Sequence, residues 1–411
     1  MFSVEFKKLF QPILLLVALL ITIVFFNQEL SFIHKNWPNG GLIPIYDHAS
    51  DWQNRFGQTL EDEEIAEIEA EYITFIKQAD KIVSENPIAK QRQLGNYAEF
   101  QSWYQENLPV VAINEMNEEE KEIVNQINAI QQDLIDDTGH SMVDNIDVLQ
   151  NLHRSMTMKE FDSSDMFLND GDYTKKERAR LSETLFVEEG WRNILPSYLS
   201  STVVSYFESV LVLLIFLLSL LIPSISVRDR LLGLQNIQWS SRHGRKILWT
   251  QFASGMIASF LLITCVVGFL GSFLYFTDFT QYFSNGLNSF FIVFIEEPLL
   301  LSFYHWTFGQ WLVKVVLLVY LIGMAYSGIL LFLSQTSKHY LSLLMKIIPV
   351  GFVFIVIANR VLKDAFYLKN PLYQWTKIPM IELYAAILLL VISISLPIIF
   401  CIRQQSKDLS S

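Results

Sequence analysis

Six apolar stretches constrain this chain more than any other feature of its sequence. They cover residues 10–27, 203–225, 247–276, 311–334, 342–359 and 380–402. A hydrocarbon core of about 30 Å is crossed by about 20 apolar residues in a helix. Each stretch is near that length, and 51% of all residues are hydrophobic. We therefore expect an all-α, polytopic membrane protein with six transmembrane helices.

The acidic residues are concentrated between the first and second apolar stretches. Residues 28–200 contain 33 of the 42 Asp and Glu but 14 of the 30 Lys and Arg, so this segment has a net charge of −19 and the remainder +7. A polar segment of about 170 residues has the size of one domain. The sequence thus predicts an anchor helix in residues 1–27, an acidic extracellular domain in residues 28–200, and five further helices in residues 201–411.

The distribution of Lys and Arg predicts that both termini are cytoplasmic in a plasma-membrane protein. Basic residues flank both termini and follow the second and fourth stretches, whereas residues 276–310 contain none. Cytoplasmic loops carry such an excess of positive charge. One basic segment, residues 360–377, falls outside in this topology. A re-entrant fifth stretch, interrupted by Pro349 and Gly351, is the alternative. We favour a full crossing because it keeps Lys338 and Lys346 at the start of the stretch inside, and also Arg403 and Lys407 in the C-terminal tail.

The first stretch and the cysteines bear on processing and cell type. Lys7 and Lys8 precede the first stretch as in a signal peptide, but no small-residue cleavage site follows, which favours an uncleaved anchor. Cys265 and Cys401 both lie in apolar stretches, so the acidic domain has no disulfide. This pattern fits a Gram-positive bacterial surface better than a disulfide-rich secreted setting.

The acidic domain has the periodicity of amphipathic helices. Apolar residues recur at helical spacing from Ile65 to Ile82 and from Ile123 to Leu134, and each stripe can bury the other. Thr174 and Glu177 form a capping-box pattern at the start of a third helix. Further predicted features are a capping box at Thr59 and Asp62, a helix end at Pro87, and shorter helices near residues 93–106 and 142–155.

Two acidic patterns in this domain invite a functional interpretation. The run from Glu61 to Glu71 could attract a cationic peptide, but a solvated helix face is the simpler hypothesis. Residues 162–177 resemble a calcium loop, with Asp170 and Glu177 in ligand positions. Met166 and Leu168 occupy positions where oxygen ligands belong, which favours a polar linker.

Motifs of catalysis are missing from the chain. It contains no G-x-x-x-x-G-K-[ST], no H-E-x-x-H, no G-x-S-x-G and no paired cysteines at metal-binding spacing. We therefore expect no enzymatic activity, no metal or other cofactor, and no nucleic-acid binding on this polypeptide.

The most specific local pattern is a basic segment after the second stretch, residues 226–246. Its characteristic residues are Arg228, Asp229, Arg230, Gly233, Ser241, Arg242, Arg245 and Lys246. By charge alone this segment is a positive-inside anchor. The order of an acidic-Arg pair, a Gly and a Ser-Arg pair resembles the loop of ABC-2 type transporter permeases. A Lys that often follows there corresponds to Gln251 or to the earlier Lys246.

The resemblance implies a function that composition does not. It implies a permease dimer, of identical or homologous copies, whose residues 226–246 dock a separate ATPase subunit that carries ATP and Mg²⁺. Such a transporter would export a peptide, an antimicrobial or another amphipathic compound. Two alternatives stay open. One is a non-transporting sensor or scaffold whose outer domain binds a ligand. The other is a mechanotransmission permease, which has four spans rather than six.

Polar residues and glycines within the stretches are the remaining candidates. Glu208 and Gln251 are possible pathway residues, because ionisable and polar groups at membrane depth are costly; Lys314 and Glu382 are weaker candidates near stretch ends. Small residues permit close helix packing, and the candidates for this role are Gly268, Gly271, Gly323 and Ser327. Residues 286–305 could form an interfacial hairpin that includes His305.

Overall fold

The computed structural model describes residues 2–38, 43–109, 116–135, 142–143, 146–150, 174–234, 244–289 and 301–405. In these residues the regular secondary structure is helical, and isolated bridges join Thr59 to Asn193 and Gly286 to Thr307. It divides into two compact units. The first is Met1–Gly40, Tyr198–Leu287 and Leu300–Ser411; the second is Gly41–Ser197 and Asn288–Leu299.

The first unit contains six helices that are long and apolar enough to cross a membrane, which confirms the prediction of six spans. We number them in chain order: span 1 Pro12–Lys35, span 2 Tyr198–Leu231, span 3 Ile247–Tyr275, span 4 Phe308–Thr336, span 5 Tyr340–Leu362 and span 6 Ile381–Gln405. A short N-terminal helix, Phe2–Leu9, precedes span 1, and the helix Pro371–Thr376 lies between spans 5 and 6.

Span 1 is longer than its apolar stretch. The helix Pro12–Phe25 passes through a π-helical turn, Phe26–Leu30, into Ser31–Lys35. Asn27, Gln28 and Glu29 are exposed in this turn, whereas Leu30 is buried. Hydropathy falls at the polar residues, but the backbone hydrogen bonds continue through them. The domain boundary predicted at residue 27 therefore lies inside a helix.

Span 2 also continues beyond its predicted end. The helix Ser197–Leu221 is followed by a turn at Pro223 and by a second helix, Ser224–Leu231, which we call the loop helix. Leu232 is the C-cap of the loop helix, and the next residue, Gly233, has a φ of +68°, the left-handed conformation common after a helix. Arg228, Asp229 and Arg230 thus lie on a helix rather than in the predicted loop.

Span 5 is one continuous helix despite Pro349. At about 1.5 Å per residue its length is about 34 Å, enough for a full crossing. Tyr340, at its start, lines a groove with Gln11 and Arg228. Asn370, eight residues after its end, bonds the Val361 carbonyl at 3.2 Å in the segment that packs on the start of span 2. These contacts favour a crossing over the re-entrant alternative.

The glycine predictions have mixed outcomes. A Cβ on Gly323 would meet Ile263 of span 3 at 2.9 Å, so the two helices approach closely there. Among the described residues, a Cβ on Gly268 or Gly271 would meet no atom within 4 Å, so these two glycines make no close helix contact in this part of the chain. The closest backbone approach involves Gly328, where a Cβ would meet the Ser393 carbonyl oxygen of span 6 at 2.8 Å.

The second unit is a set of helices around its own apolar core. Helices with described bounds are Ile43–Phe56, Asp62–Glu85, Pro87–Gln91, Tyr97–Asn107, Glu118–Asp133 and Lys175–Ser182. Ala79 of the first predicted stripe, and Val83 just after it, share a buried cluster with Ile130 and Leu134 of the second stripe and with Phe100. The two stripes therefore cover each other as predicted.

The helix caps of this unit are mostly as predicted. Thr174 and Glu177 form the expected capping box, and Pro87 follows the end of Asp62–Glu85. The box predicted at Thr59 and Asp62 is wrong, because Glu61 is the N-cap and pairs with Glu64. Residues 162–173 lie outside the described residues. The buried carboxylate of Glu177 accepts the backbone N–H of Thr174, so it caps a helix.

Candidate functional site

A buried polar network lies where the N-terminal helix, the loop helix and span 3 meet. Its centre is the carboxylate of Asp229, which is 2% exposed. Lys8 Nζ donates to both carboxylate oxygens, at 2.9 and 2.8 Å. Gln251 Nε2 donates to Asp229 Oδ2 at 3.0 Å. Asp229 therefore joins three elements that are far apart in the sequence, and we call these residues the Asp229 network.

The network is completed by two further groups. Glu5 is 3% exposed and accepts from Lys8 Nζ at 2.7 Å. Ser226 donates to Gln251 Oε1 at 3.1 Å, which fixes the orientation of the amide. Burial lowers the pKa of Lys8, but the hydrogen bonds to Asp229 and Glu5 outweigh that effect and leave its pKa raised. Lys8 is thus a cation held between two carboxylates.

Arg230 connects the loop helix to the end of span 4. Its guanidinium donates to the carbonyl of Gln335 at 2.8 Å and also to that of Ser337. The last carbonyls of a helix have no intrahelical partner, so a cation there satisfies them and the negative end of the helix dipole. Lys346 of span 5 bonds the Ser337 hydroxyl at 3.1 Å. Arg230 thus extends the connection to spans 4 and 5.

The loop helix divides its residues between burial and exposure. Asp229 is buried and Arg230 is half-buried, whereas Arg228 and Gly233 are exposed. Exposed apolar side chains surround Gly233, with Leu231 at 48%, Leu232 at 61% and Leu234 at 37%. A partner protein could touch this exposed group, which we call the leucine patch, but Asp229 could not be touched without breaking the network. Asp229 and Arg230 therefore make contacts within the fold, and their predicted role in docking stays a prediction.

The other predicted docking residues have different outcomes. Ser241 and Arg242 lie outside the described residues, and so does the side chain of Arg245. Lys246 is exposed at the start of span 3. The predicted docking surface therefore keeps Arg228, Gly233 and Lys246 as accessible members.

The two possible pathway residues lie in unlike environments. Gln251 belongs to the Asp229 network and faces protein. Glu208 is half-buried in span 2, and its Oε1 is buried without a hydrogen-bond partner among the described residues. Lys314 Nζ lies over the ring of Trp306 at 4.4 Å, and Glu382 accepts the backbone N–H of Phe366 at 3.1 Å. The pathway role of Glu208 and Gln251 stays a prediction.

The segment after span 5 is a packed structure that the sequence patterns do not reveal. The Tyr367 hydroxyl lies 2.7 Å from the Ser200 hydroxyl, and Ser302 donates to the carbonyl of Phe366 at 2.8 Å. Burial raises the pKa of Tyr367 well above its ordinary value. Buried residues fill this segment, namely Ala365, Phe366, Tyr367, Leu368 and Asn370. Its Lys residues are conspicuous in the sequence because of their charge, whereas its aromatic residues determine its packing.

Comparison with known proteins adds no identification. No family model matches this chain, and neither a curated protein nor a solved structure matches it significantly.

Proposed function

We propose that this chain is the membrane subunit of an ATP-driven exporter of an amphipathic compound, with ATP hydrolysis on a separate cytoplasmic ATPase. The observation that carries the proposal is the Asp229 network. It makes the N-terminal helix, the loop helix and span 3 one mechanical element, and Arg230 adds the end of span 4. A membrane subunit that is moved by a separate ATPase needs such an element, because the ATPase contacts one helix and that movement must be transmitted to several others.

The leucine patch is the proposed contact for the ATPase. It projects from the mechanical element at Leu231, Leu232 and Leu234, next to the left-handed Gly233. Exposed apolar groups rimmed by charge are typical of protein interaction sites. Arg228 and Lys246 supply positive charge nearby. The distribution of Lys and Arg would then make the acidic segment 28–200 extracellular.

The experiment is purification of the full-length protein from its native membrane in mild detergent, with identification of associated chains and an ATP hydrolysis assay. We expect a stoichiometric subunit that contains a P-loop. The double substitution Leu232→Asp, Leu234→Asp should remove it and leave the thermal unfolding temperature unchanged, since both side chains are exposed.

The matched control is Lys338→Gln, an exposed cation near the end of span 4. Purification of the wild type without any P-loop subunit would contradict the proposal and favour the sensor or scaffold alternative. That alternative rests on the second unit, which has an apolar core of its own. Retention of the ATPase by the double variant would reject the leucine patch but not the exporter.

A further inference from the structure

A groove of about 670 Å³ opens between spans 1, 2 and 5 at the end of the spans where Lys8 and Asp229 lie. Apolar side chains form most of its lining, and the polar members are Gln11, Ser219, Ser224, Arg228 and Tyr340. This volume lies within the range of pockets that hold small ligands. Arg228 is the one charged residue in the described lining.

The polarity of the groove changes with depth. In span 5 the lining passes from Tyr340 at the helix start to Ile347, a distance of about 10 Å along the axis. In span 2 it passes from Arg228 to Leu220, and in span 1 from Gln11 to Leu14. Polar groups therefore lie at the mouth and aliphatic groups deeper, apart from Ser219 of span 2. The Ser219 hydroxyl donates to the Ile215 carbonyl at 2.7 Å and lies 2.6 Å from the Tyr326 hydroxyl, so it already has partners within the protein. A molecule with a polar head and a hydrocarbon tail matches this gradient.

Arg228 indicates the charge of that head. In the described part of the chain its guanidinium makes no hydrogen bond or ion pair, in contrast to Arg230, which donates to two carbonyls. Residues two apart on a helix point to different sides, which separates the two roles. The adjacent carboxylate of Asp229 is already bonded to Lys8 and Gln251. An arginine in the lining of an apolar groove, without a protein anion, is an anion-binding group.

We propose that this groove binds one anionic glycerophospholipid, with its phosphate on Arg228 and an acyl chain along Leu14, Leu344 and Ile347. Basic pockets between transmembrane helices are known to take anionic head groups, and a guanidinium can bond a phosphate bidentately. The inference goes beyond the exporter proposal and does not depend on it.

The test is native mass spectrometry of the full-length protein, titrated with phosphatidylglycerol or phosphatidylcholine of equal chain length. We expect the wild type to retain one phosphatidylglycerol and to prefer it to phosphatidylcholine. Arg228→Gln should weaken phosphatidylglycerol binding about tenfold, the equivalent of one charge-assisted contact. Lys338→Gln, which removes an exposed cation outside the groove, should leave it unchanged.

A second variant tests the hydrocarbon part and guards against misfolding of the first. Leu344→Trp fills the groove without a change of charge and should displace the lipid, whereas Leu388→Trp, on an exposed position of span 6, should not. Inorganic phosphate should fail to compete, which distinguishes a lipid from a free anion.

Three outcomes would overturn the proposal. The first is equal binding of the two lipids, and the second is Arg228→Gln binding like Lys338→Gln. The third is a lipid-free dimer that Leu344→Trp converts to monomer, because a second copy of the chain would then occupy the groove.

Discussion

The two units of this protein use charge in opposite ways. In the second unit Arg55 contacts three carboxylates, those of Asp51, Glu67 and Glu71, and the acidic partners are 33–57% exposed. In the first unit the carboxylate of Asp229 is 2% exposed and is bonded to two helices besides its own. The acidic unit has more charges, but the buried carboxylate connects more of the fold. The number of charged residues in a unit therefore does not indicate how much its ion pairs contribute to the stability of the fold.

The physical reason is the environment of the pairs. Exposed ion pairs contribute little to the free energy of unfolding, because water and salt screen the attraction between the charges. A buried pair costs desolvation when it forms, but loss of one partner leaves an uncompensated charge in a medium of low polarity. The acidic unit relies on the apolar cluster of Ala79, Val83, Phe100, Ile130 and Leu134, with its charges at the surface. Substitutions in the two units should therefore differ in their effects.

The largest expected effect is all-or-none and concerns the sides of the membrane on which two parts of the first unit lie, the basic segment 360–377 and the leucine patch. In a background with Cys265→Ser and Cys401→Ser, Trp375→Cys should react with a membrane-impermeant maleimide on intact cells. Leu232→Cys should react after permeabilisation only. Both side chains are well exposed, Trp375 at 85% and Leu232 at 61%. Asn370, in the same basic segment as Trp375, is fully buried and would not react with the reagent. The reverse labelling pattern would show that the topology is the opposite of the predicted one. The leucine patch would then be extracellular and could not contact a cytoplasmic ATPase.

The next effect is on the stability of the Asp229 network. Lys8→Met leaves Asp229 buried without its cation and should lower the free energy of unfolding by about 3–5 kcal/mol. Thermal unfolding of the purified protein in detergent measures this as a reduced melting temperature. Lys7→Met, an exposed neighbour, is the matched control. Asp229→Asn should rescue part of the loss in the double variant, since Gln251 can still bond the amide. Equal melting of the Lys8 and Lys7 variants would contradict the role of the network.

The smallest effect is expected in the acidic unit. Arg55→Gln removes contacts to three carboxylates, yet we expect a loss of under about 1 kcal/mol, because those partners are exposed. Lys77→Gln is the control, because Lys77 is exposed on the helix Asp62–Glu85 that carries Glu67 and Glu71. The measurement is thermal unfolding at low and at high salt. If Arg55→Gln lowered the free energy of unfolding as much as Lys8→Met does, the proposed difference between the ion pairs of the two units would be wrong.

Much of the fold follows from patterns that are local in the sequence. Six apolar stretches determine six spans, because a helix must satisfy its own backbone within a membrane. Helical periodicity determines that the stripes through Ala79 and Ile130 are buried. The helix start at Thr174 also follows from local sequence, because the side chains of Thr174 and Glu177 each accept a backbone N–H that has no partner within the helix. Each of these effects depends on residues within a few turns of one another.

The tertiary structure decided what the local patterns leave open. Asp229 and Arg230 have the sequence pattern of a basic loop, but Lys8, Gln251 and the span 4 carbonyls lie far away in the sequence and make them interior groups. Gly268, Gly271 and Gly328 are alike as residues, yet only the placement of span 6 gives Gly328 a backbone neighbour. Partners that are distant in the chain determine burial and pairing, so these roles could not be derived from sequence spacing.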